Sequence, residues 1–187
     1  VGITTSGVAY GWGLNNNGQV GDGTRDSGTA DGYDIIYIDR LTPVLVSGGY
    51  TWASISAGGS RTVGITTSGA AYAWGYNNNG ELGDGTTTRQ LTPVLVSGGY
   101  TWALISVGRG HAGSTVGITT SGAAYAWGRN SEGQLGDGTT TRRTTPVLVS
   151  GDHTWASISA GDLHTVGITT SGVAYGWGLN NNGQVGD

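Results

Sequence analysis

The chain has no cysteine, which removes both a disulfide framework and a thiolate metal site and leaves the redox compartment open. Methionine, phenylalanine and lysine are also missing, the mark of a narrow alphabet in which one unit has been copied. Charge is scarce: eight cations, all arginine, stand against twelve acids, for a formal net charge of −4. That balance provides no basic footprint for a phosphate backbone, so nucleic acid is not an expected partner. With only 11% charged residues, the surface is left to Thr, Ser, Asn and Gly, which hydrate well but oppose association weakly. No apolar run is long enough for a membrane-spanning helix. Val1 falls in the middle of a pattern without a charged-then-apolar leader, which reads as a mature piece or a fragment.

What is present is repetition. The stretch LTPVLVSGGYTWASISAG from Leu41 returns as LTPVLVSGGYTWALISVG from Leu91 and as TTPVLVSGDHTWASISAG from Thr144. A period near fifty residues with strand-like runs and no helical pattern signals a propeller blade or a related β-array. Units are expected at 41–90, 91–143 and 144–187, preceded by a half blade plus an insertion at 1–40, all in one repeat array. Within a unit, the first strand is expected at 42–46, the second at 51–57, the third at 62–67 and the fourth at 70–75, punctuated by Gly48, Gly49, Gly58, Gly59 and the Ser68-Gly69 turn. Apolar or small residues occupy both faces of these strands, as in a sheet sandwiched between neighbours. The expected fold is all-β, a β-propeller-type tandem of four-stranded blades, about three and a half in this chain.

Each fourth strand is followed by a loop of one kind, such as NNNGELGDG from Asn77 or NSEGQLGDG from Asn130. Asn-Gly and Asp-Gly supply the positive φ that tight turns need. Calcium at Asp22, Asp84, Asp137 and Asp187 is the competing reading, but each loop has too few carboxylates for it. Gly75, Gly128 and Gly178, each following a Trp at a strand end, are expected in conformations reserved for glycine.

The run GGSRTVGITTSGAAYAWGYNNNGELGDG and its relatives, among them GDLHTVGITTSGVAYGWGLNNNGQVGD, resemble the regulator of chromosome condensation repeat, over nearly the whole chain. The resemblance implies a propeller of four-stranded blades that serves as a scaffold for protein contacts and, in some members, for nucleotide exchange on a small GTPase. The chain departs from the pattern: only His164 stands in the G-x-x-H-T context, Arg61 replaces it in one unit, and the segment around His111 is three residues longer than its counterpart. The basic surface that chromatin binding needs is absent. No position matches the GTPase-contacting role.

Chemistry beyond packing is hard to find. His111, His153 and His164 are dispersed, with the first and last at comparable positions of successive blades, too far apart to share a metal. His164 and Asp162 are close in sequence, but a triad is defined by geometry. No metal, cofactor or catalytic residue is assigned, and an enzyme is not expected. Trp52, Trp102 and Trp155 form one repeating set and Trp12, Trp74, Trp127 and Trp177 another. Such rings stack on sugars or bases in some proteins, yet identical placement in every blade is also what inter-sheet packing demands, and burial favours packing.

The period breaks at residues 25–40, RDSGTADGYDIIYIDR, where other units have four residues such as TTRQ. Asp26, Asp31, Tyr33, Asp34, Ile35, Ile36, Tyr37, Ile38 and Asp39 are the candidate interaction residues, because surface loops on rigid scaffolds are where binding is placed and exposed isoleucines call for cover. The alternative is a hairpin folded onto its own blade.

Residues 1–22 recur without change at 166–187. Three and a half blades do not close a ring, since propellers typically need about four to eight. Two arrangements answer this: a super-repeat continuing in a longer protein, or copies of the chain meeting in a ring with an irregular seam or in a filament. Two functions follow, a structural protein that self-associates and a module that binds another protein or a surface glycan through the insertion. Exchange activity is a third, by resemblance alone. The compartment stays open, with a cell-surface or extracellular setting ahead of the cytoplasm.

Overall fold

A computed structural model of the chain describes residues 1–26, 29–30, 35–36, 39–110 and 113–186. Among these there is no helix; the elements are β1 (Gly2–Ile3), β2 (Ala9–Gly13), β3 (Thr29–Ala30), β4 (Ile35–Ile36), β5 (Arg40–Leu45), β6 (Trp52–Gly58), β7 (Arg61–Thr66), β8 (Ala71–Gly75), β9 (Gln90–Leu95), β10 (Trp102–Val107), β11 (Thr115–Thr119), β12 (Ala124–Gly128), β13 (Arg143–Leu148), β14 (Trp155–Ala160), β15 (His164–Thr169) and β16 (Ala174–Gly178). They form four antiparallel sheets in tandem, β1-β2-β5, β6-β7-β8-β9, β10-β11-β12-β13 and β14-β15-β16, with β3 and β4 paired separately. This is a partial propeller of about three and a half blades.

The strand phase corrects the sequence expectation. The LTPVL segment does not open the sheet that follows it; β9 pairs with β8, placing Leu95 opposite Tyr72 and Val94 opposite Ala73. The same holds for β5 on β2 and β13 on β12. The chain leaves β8, turns through the Asn-rich loop and returns antiparallel to the strand it has just left, as consecutive strands commonly do. Pro43, Pro93 and Pro146 fit this outer position, because an edge strand tolerates a residue without an N–H. The sequence units starting at 41, 91 and 144 are therefore one strand out of phase with the sheets.

The second, third and fourth sheets each have two unlike faces. On one, the inner-strand tryptophan lies over a glycine of the next strand: a Cβ on Gly64 would come within 2.6 Å of the Trp52 ring, and Gly117 and Gly167 stand in the same relation to Trp102 and Trp155. The other face is aliphatic. Val63, Ile65, Ala71, Ala73 and Leu82 of the second sheet pack on Trp102 and Trp127 of the third. Val116, Ile118 and Ala126 cover Trp155 and Trp177 of the fourth sheet in the same way, and Ala9 and Val46 of the first cover Trp52 and Trp74. Tryptophan against aliphatic face is thus the repeating inter-sheet contact, and the tryptophans named at each contact are packing residues.

Candidate interaction surface

A hydrogen-bonded clamp supports each contact. The backbone carbonyl of Gln19 accepts from Thr62 Oγ1 at 2.9 Å and from Trp74 Nε1 at 3.0 Å. Glu81 receives Thr115 and Trp127, both at 2.9 Å, and Gln134 receives Thr165 at 2.9 Å and Trp177 at 3.0 Å. The buried indole N–H therefore finds the partner that burial demands. Two residues on, Gly21, Gly83 and Gly136 each have an indole where a side chain would start: a Cβ would meet Nε1 of Trp74, Trp127 and Trp177 at 2.5, 2.8 and 2.6 Å. The recurring Thr, Trp and Gly-Gln/Glu-Leu/Val-Gly motifs are one device, which sequence reasoning missed because its hub is a main-chain carbonyl.

The Asp loops are closed by their own donors. Asp84 Oδ1 accepts from Thr86 N and Oγ1, both at 2.9 Å, and from Asn77 Nδ2 at 3.2 Å, while Oδ2 accepts from Gln90 at 3.1 Å. Arg40 Nε at 2.7 Å and Arg143 Nε at 2.8 Å do for Asp22 and Asp137 what Gln90 does for Asp84. Burial raises the carboxyls of Asp22 and Asp137, but the threonine and arginine donors outweigh it and hold both below the ordinary carboxylate range. Turn chemistry accounts for these residues. Among the described residues no cluster of three or more His, Asp or Glu is placed to hold a metal.

His164 begins β15 beside Gly161, and His153 stacks on Tyr175 with centroids 4.4 Å apart, where Tyr50 and Tyr100 face Tyr72 and Tyr125 at 4.2 Å. A cavity of about 190 Å³ adjoins His153, lined by Val149, Ser150, Trp155, Tyr175 and Trp177. His111 lies outside the described residues. Arg61, at the position His164 holds in its own sheet, is fully buried and donates to the carbonyls of Gly113 at 2.6 Å, Ser114 at 3.0 Å, Gly108 at 3.3 Å and Gly110 at 3.4 Å. These carbonyls belong to the lengthened loop of the next sheet, so the Arg and the longer loop fit one another. Burial lowers the guanidinium to about 10, opposed by the charges of Glu81 and Asp162.

Of the insertion residues, Ile35 and Ile36 lie in β4, which pairs with β3 and not with a blade. Asp26 receives Arg40 NH1 at 3.6 Å, and its N–H donates to Asn15 O at 3.2 Å, tying the root of the insertion to the first loop. Asp39 immediately precedes β5. Asp31, Tyr33, Asp34, Tyr37 and Ile38 lie outside the described residues.

The outward faces of the first and fourth sheets differ from the inner ones. Trp12 is 47% exposed where Trp74 and Trp127 are 0%, and Ile168 is 46% exposed where Ile65 and Ile118 are 4%. The Trp12 ring lies against Gly2, with a ring carbon 3.3 Å from where a Cβ would be.

The profile described as the Regulator of chromosome condensation (RCC1) repeat matches residues 6–65, 68–114 and 121–168, and a second profile of the same description matches 52–81, 102–134 and 155–184. The Ultraviolet-B receptor UVR8 of Arabidopsis thaliana is 33% identical over 167 residues, covering 87% of this chain and 35% of the receptor. The human E3 ubiquitin-protein ligase HERC2 is 31% identical over 150 residues, 79% of this chain and 3% of the ligase. The chain thus spans about a third of the receptor's length and a small part of the ligase's. Among solved structures, yeast RCC1 (Prp20) bound to Kap60 aligns with a TM-score of 0.75 at 18% identity, over 95% of this chain and 41% of that one. Prp20p of Saccharomyces cerevisiae, described with its binding properties to Gsp1p and histones, aligns with a TM-score of 0.72 at 19% identity, over 99% and 44%. With the repeat profile, the clamp geometry and the tandem antiparallel sheets in agreement, the chain belongs to the regulator of chromosome condensation repeat family.

Proposed function

We propose that the chain is a non-catalytic propeller scaffold that binds another protein through residues 25–40. The observation that carries this reading is the contrast between loops. At Asn15, Asn77 and Asn130 the loop side chains are spent on their own turns, as in the donation from Asn77 Nδ2 to Asp84, Thr86 and Thr88. The insertion breaks that pattern: among the described residues Asp26 pairs with Arg40, Asp39 precedes β5, and Leu41, which follows the insertion, is 91% exposed. An acidic insertion, with four Asp in 25–40, that ends beside an exposed leucine suits a protein surface offering cations and apolar side chains. Relatives described as bound to Kap60, or as binding Gsp1p and histones, lend the reading support. Exchange activity rests on resemblance alone, and no residue is assigned to it. The test replaces residues 25–40 with the TTRQ of 87–90 and compares capture of partners, proteins and glycans scored separately. Loss of protein capture with an unchanged β-sheet spectrum is expected; undiminished capture refutes the assignment.

A second reading, self-association, is favoured by the unequal burial of equal residues. Val63 and Val116 are at most 1% exposed and Val166 is 40% exposed, on a face whose inner counterparts are covered by a sheet of this same chain. Sedimentation over a wide concentration range tests it: mass should rise above 18.9 kDa with concentration.

A further inference from the structure

We infer that Arg61 and the lengthened loop at 108–114 set the order in which the sheets stack, as matched parts by which the second sheet takes the third as its neighbour. Interchangeable repeats create the need for such a device. Residues 62–75 return unchanged as 115–128, and 41–53 as 91–103. The contacts that hold the sheets together do not tell them apart either. The threonine-and-indole clamp on a loop carbonyl recurs at all three junctions, and so does tryptophan against an aliphatic face. Repeat proteins of this kind are open to docking out of order and to swapping between chains.

The junction between the second and third sheets differs from the others at one point. Gly58 and Arg61 close the hairpin of the second sheet around two residues, Gly161 and His164 that of the fourth around two, and Gly108 and Ser114 that of the third around five. Of the carbonyls that receive the Arg61 guanidinium, those of Gly110 and Gly113 lie within these five. The loop is wedged between its neighbours: a Cβ on Gly59 of the second sheet would run into the Gly110 carbonyl, and one on Gly110 would come within 2.8 Å of Asp162 Oδ1 in the fourth. Glu81 completes the match. It stands where the other clamp loops have Gln19, Gln134 and Gln184, is fully buried, and its carboxylate accepts from Asn79 N and Nδ2, both at 2.8 Å. Its Cγ and the Cα of Ser114 lie 3.2 and 3.5 Å from where a Cβ on Gly128 would be, so the acid and the arginine both reach the end of the long loop. A buried guanidinium is tolerated where such acceptors surround it, and a two-residue hairpin in the neighbouring place brings fewer of them. Buried polar groups that must be matched are a way of fixing register between otherwise equivalent elements.

The chain has no cysteine, so introduced pairs report which sheets have docked. A Cβ at Gly69 would lie 3.7 Å from that of Thr101, and one at Gly122 3.8 Å from that of Thr154, a separation that a disulfide spans. Gly69→Cys with Thr101→Cys therefore marks the second sheet seated on the third. Gly69→Cys with Thr154→Cys marks it seated on the fourth, within one chain or between two. Each pair is placed in the full chain in three backgrounds: unaltered, Arg61→Ser, and residues 109–113 shortened to the Gly-Ser of 59–60. The proteins are refolded from urea under mild oxidation and their bridges read by peptide mapping. In the unaltered background the 69–101 bridge is expected and the 69–154 bridge is not; either alteration is expected to divert a measurable share of chains to the 69–154 bridge. A 69–154 bridge that forms to the same extent in all three backgrounds, or in none, overturns the assignment. Urea midpoints of the cysteine-free chains give the second measurement. Arg61→Ser combined with the shortened loop is expected to lower the midpoint by less than the two single losses added, and strictly additive losses would show that the arginine and the loop are not matched parts.

Discussion

Residues 1–22 and 166–187 are one sequence in two settings, and their described residues fold alike but bury different sides. In the first setting Ala9, Asn15 and Val20 are buried against the second sheet while Trp12 faces outward. In the second, Ala174 and Asn180 are exposed, and Trp177 is tucked against Gln134. Local structure is therefore carried by the repeat itself, while burial is decided by which neighbour is present, as nearest-neighbour energetics of repeat proteins requires.

The largest expected effect contrasts inner and outer tryptophans. Trp127→Ala removes a fully buried ring and a clamp bond, and should cost about 3–5 kcal/mol in urea unfolding. Trp12→Ala, at a half-exposed site, should cost under about 1 kcal/mol. Comparable losses would mean that the two settings are not energetically distinct.

Arg61→Leu comes next. It removes the donor shared by the carbonyls of Gly108, Gly110 and Gly113, while Ser114 O keeps Gly108 N at 2.9 Å, and an unsatisfied buried acceptor costs about 1–3 kcal/mol. Amide exchange in residues 108–114 should quicken more than elsewhere; a uniform change would break the link between Arg61 and the longer loop.

A smaller effect separates two glycines of equal conformation. Gly75 and Gly13 have φ of 104° and 92°, so alanine is strained at both, by about 1 kcal/mol. At Gly75 the added Cβ would also meet Ser60 O at 2.5 Å, whereas at Gly13 nothing lies within 4 Å. Gly75→Ala should be the more destabilising; equal midpoints in urea would contradict the packing account.

The smallest effect is acid sensitivity. The Asp22 and Asp137 carboxyls sit lower in the folded chain than their ordinary 3.8, so below that range the unfolded chain binds protons first. Their contribution is present above the ordinary carboxylate range and is lost as pH falls through the lower folded values. Asp137→Asn should flatten the decline in urea midpoint below about pH 4, the range where free carboxylates titrate.

Much of this architecture was legible in the sequence. The period, the Gly-rich turns, the glycines after each Trp and the packing role of the inner tryptophans follow from patterns that local sterics and burial impose. The strand phase was not, because a β-prone run such as LTPVL carries no mark of which sheet receives its hydrogen bonds, and a proline within it fits an inner edge as well as an outer one. The clamp was hidden for a related reason, since its acceptor is the carbonyl of Gln19, Glu81 or Gln134 and the side chain there says nothing about it. Arg61 read as a departure from the repeat, and only the path of the next sheet's loop shows what it holds. At the candidate site the sequence singled out the break at 25–40, while Asp26 joining Arg40 at its root needed coordinates.

The most direct test of the account is fluorine NMR of the chain labelled with 5-fluorotryptophan, with a soluble paramagnetic agent reporting exposure of each indole. Trp52, Trp74, Trp102, Trp127 and Trp155 should be protected and Trp12 strongly relaxed. A Trp12 resonance as protected as that of Trp74 would contradict it.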